Sequence, residues 1–279
     1  MKVGYLGPVG TFSHAALLAS PRPPADAEGV PCSSEAEAIR AVQDGTLDAA
    51  IVPVENAIEG GVNATVDALI HDAPDVVVRA EELLPVSHAL IGHPDIALAD
   101  VTEVLSHPQP LGQCRRSLER LLPGRPLRAV SSTAEAVRIV AESPAPLVAV
   151  GHPAAAAEYG VGVLATGLED VPGNATRFWW LGRGPGDAPE DGGRRKSSIV
   201  FGGDGDGEPG WLLASLAVFA DRGLNLTRIE SRPSREHLGH YVFLVDVEGD
   251  AAAAPLADAL AALRARGSDV RVLGSYPVT

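Results

Sequence analysis

Apolar residues along the chain come in short runs of strand length, and between them lie Ala-rich stretches of helix length. Residues 3–6 read as a strand followed by a helix from Ser13, residues 49–54 as a strand followed by a helix over 62–71, and residues 147–150 as a strand followed by a helix over 153–158. A strand at 104–106 and a helix at 134–142 continue the alternation. This is the rhythm of parallel sheets covered by helices. Residues 76–91 are almost continuously apolar, broken by Pro85 and His88, and read as long strands crossing between two lobes. Residues 1–182 are therefore expected to form two α/β lobes with a cleft between them.

The pattern changes at residues 183–196, where Gly184, Pro185, Gly186, Pro189, Gly192 and Gly193 occur among mixed charges with no periodic apolar face. That composition reads as a linker. Residues 197–279 then give a strand at 198–201, a helix with Leu212, Leu216 and Phe219 on one face, two strands flanking residues 233–239, a helix over 251–266 and a strand at 270–273. The order is β-α-β-β-α-β, the ferredoxin-like pattern.

With 279 residues, 46% of them hydrophobic, the chain is long enough for two domains with their own cores. A net charge of −14 argues against nucleic acid and anionic membrane as partners, so an anionic ligand has to be met locally. The two cysteines, Cys32 and Cys114, allow one disulfide but suggest neither a disulfide framework nor a zinc site, and a reducing cytoplasm is the simpler expectation. The start of the chain runs straight into a strand, and no apolar run reaches membrane length, so neither export nor anchoring is expected.

Candidate chemistry is concentrated in a few loops. Asn174-Ala175-Thr176-Arg177-Phe178 sets a hydroxyl beside a guanidinium just before an apolar run. Such a pair can hold an anion: Arg offers a planar charged fork, Thr a neutral donor and acceptor. By default a Thr-Arg-Phe at a strand start is structural. Gly7 to Ser13 joins a strand to a helix whose first amides favour an anion, although Thr11 or Ser13 merely capping the helix is the blander alternative. Glu55, in Pro53-Val54-Glu55-Asn56, either supports the following helix or sits in a dry cleft as an acid. His107, Gln109 and Gln113 follow a strand, and with no second ligand at metal spacing a metal site is rejected. The Gln side chains are expected to fix local structure or line the second lobe. Ser131, Ser132 and Thr133 precede a helix and are expected to cap it, and Cys114 is expected to be packed and inert.

These segments, with Ser106-His107-Pro108-Gln109 continuing to Gln113-Cys114 and a later Glu230-Ser231-Arg232-Pro233, occur in an order and spacing that resembles the bacterial prephenate dehydratase family with its C-terminal ACT regulatory domain. The resemblance covers nearly the whole chain. It implies a bilobal, periplasmic-binding-protein-like catalytic domain over 1–182, a linker over 183–196 and a ferredoxin-like ACT domain over 197–279. It also implies conversion of prephenate into phenylpyruvate, water and carbon dioxide without a cofactor, and inhibition by L-phenylalanine. Thr176 would then serve the departing hydroxyl, Arg177 would meet a carboxylate or order the cleft wall, and Glu55 would be a proton source. Gly10, Thr11, Ser13, Asn56, Asn174 and Phe178 would bind substrate. The family's effector site pairs a Gly-Ala-Leu-Val motif, here Gly210-Trp211-Leu212-Leu213, with Glu230 to Pro233. An indole in place of a methyl group fills space the phenylalanine ring needs, unless Trp211 turns outward. Ala57 stands where the family usually has Ser, which removes one hydroxyl. Family members pair through the ACT domain, so a homodimer or homotetramer is expected.

Two rival classes fit the same residues. One is a non-catalytic small-molecule sensor, since both folds bind ligands without reacting. The other is an arogenate dehydratase or a non-aromatising prephenate decarboxylase, which differ in an amino group or in the fate of the hydroxyl.

Overall fold

A computed structural model describes residues 1–184, 193–203, 205 and 207–278. The first stretch contains β1 (Lys2–Leu6), α1 (Phe12–Ala19), β2 (Glu28–Cys32), α2 (Glu35–Gln43), β3 (Ala49–Asn56), the short β4 (Gly60–Gly61), α3 (Asn63–His71) and β5 (Val76–Pro85). Next come β6 (Ala89–Gly92), β7 (Glu103–Ser106), α4 (Pro108–Gln113), α5 (Arg115–Leu121), β8 (Leu127–Ala129), α6 (Thr133–Glu142), β9 (Leu147–Gly151), α7 (Ala154–Glu158), β10 (Gly162–Thr166) and β11 (Ala175–Arg183). The last part is β12 (Arg195–Gly203), α8 (Trp211–Ala220), β13 (Leu226–Pro233), β14 (Tyr241–Glu248), α9 (Leu256–Ala265) and β15 (Ser268–Pro277).

Three sheets result, ordered β2-β1-β3-β11-β5 with β4 on β3, then β10-β6-β9-β7-β8, and finally β13-β14-β12-β15. The apolar run at residues 76–91, expected as long strands crossing between two lobes, supplies β5 to the first sheet and β6 to the second. The expectation of parallel sheets holds for β1 with β2 and for β7 with β8 and β9, but β6 pairs antiparallel with both β9 and β10. β6 comes to its sheet directly from a strand of the first sheet, so no crossover within its own sheet ties its direction to that of β7, β8 and β9. In the last sheet, the order and the β-α-β-β-α-β succession are those of a ferredoxin-like domain.

Two compact units divide the chain, one of Met1–Ala38, Ile51–Thr65 and Leu83–Phe178, the other of Ile39–Ala50, Val66–Glu82 and Trp179–Thr279. In the first, Leu90, Val104, Leu118, Val148 and Val150 make one buried cluster, while Ile91, Leu105, Val137 and Ala149 make another. In the second, Ile199, Phe201, Phe219, Val245 and Leu263 form the centre of the C-terminal core. Each such Val, Leu, Ile or Phe side chain contributes about 1.5–3 kcal/mol by leaving water.

Capping explains several helix starts. Thr11 accepts a hydrogen bond from the His14 amide at 3.2 Å, and Ser132 accepts one from Glu135 at 3.0 Å. The His107 ring does the same for Gln109, and Pro108 follows in the first turn, where its missing N–H costs nothing. The helix expected over residues 251–266 begins later, at Leu256. Asp250 binds the amides of Ala252 and Ala253 in a turn, and Pro255 disfavours helical backbone at the residue before it. Of the expected linker, residues 185–192 lie outside the described residues. No described helix is long and apolar enough to cross a membrane.

Candidate active site

A cavity of about 830 Å³ opens within the first compact unit, and the ends of β1, β3 and β7 and the starts of β11, α1, α2, α4 and α6 converge on it. Among its described lining residues there is no Lys or Arg. Phe12, Pro31, Val86 and Phe178 supply apolar surface, while Asn56, His88, Gln113 and Thr176 supply polar groups.

Thr176, at the start of β11, is held by Asn56 at the end of β3. The Asn56 side-chain oxygen accepts from the amides of Ile58 and Glu59 at 3.0 and 3.1 Å, which forces its NH₂ to face Thr176 Oγ1, 3.0 Å away. With a lone pair of Thr176 taken by that donor, and no acceptor for its own proton among the described residues, the hydroxyl is left to donate into the cavity.

Across the cavity a second chain of hydrogen bonds ends at His88. A carboxylate accepts and cannot donate, so the Gln113 atom 3.2 Å from Glu59 Oε1 is its NH₂. The Gln113 oxygen then faces His88 Nε2 at 3.0 Å and must receive a proton from it. His88 is thereby fixed as the Nε2–H tautomer, with Nδ1 a bare acceptor that is buried and has no protein partner. Burial, at 1% exposure, holds its pKa below the ordinary histidine value, so the ring stays neutral at neutral pH. An edge-on contact between Phe12 and His88, 5.4 Å between centroids, and a similar contact with His152 at 5.1 Å hold Phe12 between two imidazoles.

Several expected site residues are placed elsewhere. Arg177 is buried, and its Nε and Nη2 donate to Glu55 Oε2 at 3.1 and 2.9 Å; neither residue is among those lining the cavity. Glu55 is therefore an ion-paired, 39% exposed carboxylate and not an acid in a dry cleft. Gly10 does not line the cavity either, because its amide donates to His14 Nδ1 at 3.2 Å. Its φ is +87°, and a Cβ at this position would lie 3.1 Å from side-chain atoms of Ala155 and Tyr159, so conformation and close packing both explain the glycine. Thr11 caps α1 and also donates to the Leu6 carbonyl at 2.8 Å, so its hydroxyl is already used. Ser13, 4% exposed, lines the cavity, and the amides of Phe12 and Ser13 have no partner among the described residues. Asn174 is 5% exposed with its side-chain oxygen unpartnered, and it faces an adjoining cavity of about 650 Å³ that shares Gln109 and Gln113 with the first. Ser131, Ser132 and Thr133 line the cavity, with Ser132 committed to capping.

Sequence reasoning misses both His88 and Glu59 as site residues; the one available signal is His88 as a polar break in an otherwise apolar run. Cys32 and Cys114 are both free and buried, and burial pushes the Cys114 thiol up to about 12, as befits a packed and inert side chain.

In the C-terminal domain, Gly210 starts α8 at φ +86°, a left-handed conformation suited to glycine. The Trp211 indole packs over Phe201 and Phe243, 6.1 and 6.0 Å between centroids, and so lies on the domain's own core. Leu212 packs against the same core while Leu213 is 74% exposed. On β13, Glu230 accepts from Arg228, and Arg232 clasps Asp67 of α3 through two bonds of 2.7 and 2.6 Å; Ser231 and Pro233 are exposed. No hydrogen bond or ring contact among the described residues joins 210–213 to 230–233 within one chain.

Comparison with known proteins gives this geometry a family. Residues 3–185 match the prephenate dehydratase model and residues 206–265 the ACT domain model. A prephenate dehydratase of Mycobacterium tuberculosis is 40% identical over 284 residues, covering 99% of this chain and 87% of the relative. The crystal structure of a prephenate dehydratase from Arthrobacter aurescens in complex with L-Phe superposes with a TM-score of 0.90 at 40% identity, covering 100% of this chain and 90% of that one. A solved quorum-quenching acylase, GqqA, is 30% identical with a TM-score of 0.87 and coverage of 100% and 98%. The chain belongs to the prephenate dehydratase family.

Proposed function

We propose that this chain converts prephenate to phenylpyruvate. The observation that carries the reading is the Thr176 hydroxyl, fixed by Asn56 as a donor into a cavity with an apolar wall. Loss of carbon dioxide from the ring carboxylate leaves an electron pair that completes the aromatic ring as the C–O bond breaks. Prephenate dianion thus yields phenylpyruvate anion, carbon dioxide and hydroxide. Thr176 is too weak an acid to surrender its proton, so it stabilises the departing hydroxide by a hydrogen bond that strengthens as charge develops. Phe12 and Phe178 hold the ring.

The substrate's carboxylates meet helix starts in place of cations. α2 is poorly suited, since Glu37 already takes the Ser33 amide and Glu35 adds a second negative charge. α1 has no acid in its first turn and leaves the amides of Phe12 and Ser13 free, so it is the better anion seat. Arg177 serves by ordering the wall: its pair with Glu55 braces β3 against β11 at the residues flanking Asn56 and Thr176. Asn174, turned toward the adjoining cavity, supports that wall and stays out of contact with the ring.

L-phenylalanine is the proposed effector, as the Arthrobacter relative was solved with it, and the cytoplasm the proposed compartment. The effector seat is assigned to residues 210–213 of one copy and 230–233 of another, which makes the working form at least a homodimer. The indole of Trp211 faces its own core, so that packing is its first role and narrowing of the effector seat the second.

The test is product analysis after incubation with prephenate and, separately, with arogenate. Phenylpyruvate from prephenate is expected, and Thr176→Ala should lower kcat by about 10²–10³ while the circular dichroism and melting curve stay those of the parent. A product that keeps a non-aromatic ring, or faster turnover of arogenate, would replace the reading with one of its rivals.

A further inference from the structure

Alternation along β13 sorts the effector motif onto two faces of the sheet. Ser231 stands opposite Phe243 of β14, and Phe243 carries the Trp211 ring, so Ser231 and Pro233 share the side that the start of α8 covers. Glu230 and Arg232 point to the other side. There Glu230 accepts from Arg228, and Arg232 closes a side-on fork on Asp67 of α3, with Nε on one carboxylate oxygen at 2.7 Å and Nη2 on the other at 2.6 Å. The Arg232 side chain is 16% and that of Asp67 22% exposed, so water screens the pair only in part. A guanidinium committed to the far side of its own strand is poorly placed to hold an amino acid on the near side.

α3, in turn, is tied at its start to the wall of the cavity. Thr65 Oγ1 donates to the Pro53 carbonyl at 2.6 Å, and the Val62 amide to the Val54 carbonyl at 2.9 Å. Pro53 and Val62 line the cavity, and Asn56, which holds Thr176, follows Pro53 on the same strand. Two further arginines reach α3. Arg235 does so through looser ion pairs of 3.9 and 3.7 Å with Asp67 and Asp72, and Arg271 through the carbonyls at the end of the helix. Neither belongs to the motif, and Arg232 does.

We propose that Arg232 is the link by which the effector seat acts on the active site, and not one of the groups that hold the effector. A shift of β13 on ligand binding is passed by the Arg232–Asp67 clasp to α3, and by Thr65 to the strand that carries Asn56. The proposal rests on the readings of prephenate as substrate and L-phenylalanine as effector. A two-bond, charge-assisted fork suits this task, because it fixes distance and orientation together where a single hydrogen bond would swivel. An effector changes activity only so far as it binds two states differently, so cutting the clasp should remove the coupling and leave the effector site in place.

Asp67→Asn is the direct test, since its NH₂ meets one of the two guanidinium donors head-on and breaks the fork. Turnover of prephenate and calorimetry with L-phenylalanine are measured on the full chain of parent and variant. In the parent, saturating L-phenylalanine should lower kcat/KM by about tenfold. Asp67→Asn should turn over at the parent rate without effector and bind L-phenylalanine within about threefold of the parent, yet lose no more than about twofold of kcat/KM at saturation. Inhibition as deep as the parent's in Asp67→Asn overturns the proposal and leaves the effector reading intact. Turnover already lost before effector is added makes the clasp a structural brace and overturns it too. A second variant, Arg232→Met, asks whether the arginine is a ligand. Its affinity for L-phenylalanine should again be within about threefold of the parent's, and a weakening of about tenfold or more would make Arg232 a contact of the effector and refute the assignment. A parent that L-phenylalanine does not inhibit takes the effector reading and the proposal down together.

Discussion

At the scale of single residues, the site depends on where protons sit, and one exposed side chain has most of the control. The Glu59 carboxylate dictates the orientation of Gln113 and the tautomer of His88, while its backbone amide helps to orient Asn56. The histidines also link folding to pH. His14, His71, His88 and His152 all have pKa values below the ordinary one, in each case chiefly through burial. Between pH ~6.5, where an unfolded histidine titrates, and the lower folded values, the unfolded chain binds more protons than the folded one. Stability is therefore full above that window, falls as pH drops through it, and levels off below the folded values. The carboxylates held low by arginines, Asp67 and Glu135, act only in more acidic solution. Melting temperature is expected to drop between pH 7.5 and 5.5, with a smaller drop in His152→Gln; a melting curve indifferent to pH over that range would contradict the account. What the sequence conveyed at this scale was residue type and loop position. The Thr176 and Asn56 motifs were legible because they are short and local, whereas the displacement of Arg177 onto Glu55 was not, since a partner 122 residues away is fixed by the pairing of strands.

Among elements, periodicity located most of the strands and helices, because burial on one side imposes the pattern directly, but it gave no sign of β2, α2, β8 or β10, which are short or largely exposed. It misjudged α9, where Asp250 and Pro255 act on the backbone and leave the apolar spacing unchanged. It was also blind to contacts made to main-chain oxygens. Arg271 of β15 is the clearest example: its guanidinium donates to the carbonyls of Leu69, Ile70, Ala73 and Val76, closing the C-terminal end of α3. Any residue type carries a carbonyl, so no side-chain signature announces such a partner. Arg271→Met keeps the apolar stem and removes every donor, and it should cost about 2–4 kcal/mol. A urea midpoint for this variant equal to that of the parent would show the carbonyls to be satisfied without it.

For the molecule as a whole, the charge of −14 and the absence of Lys or Arg among the described residues of the cavity wall combine into a statement about kinetics. A dianion arriving at most enzymes of anionic substrates is drawn in by cations, and added salt slows it by screening that attraction. Here the approach runs against the net charge of the whole protein, and the attraction proposed to hold the ligand, from helix amides and hydroxyls, is felt only after contact. Salt should then weaken a repulsion. Raising potassium chloride from about 20 to 200 mM is expected to leave kcat/KM for prephenate unchanged or increased, and a steep fall would reveal a cation the cavity wall does not account for. An acidic protein whose pocket wall holds no cation gives up speed of capture, and on the proposed reading its advantage over competitors is discrimination: anions in general are repelled, and only one that the pocket's apolar and hydroxyl groups also fit is retained.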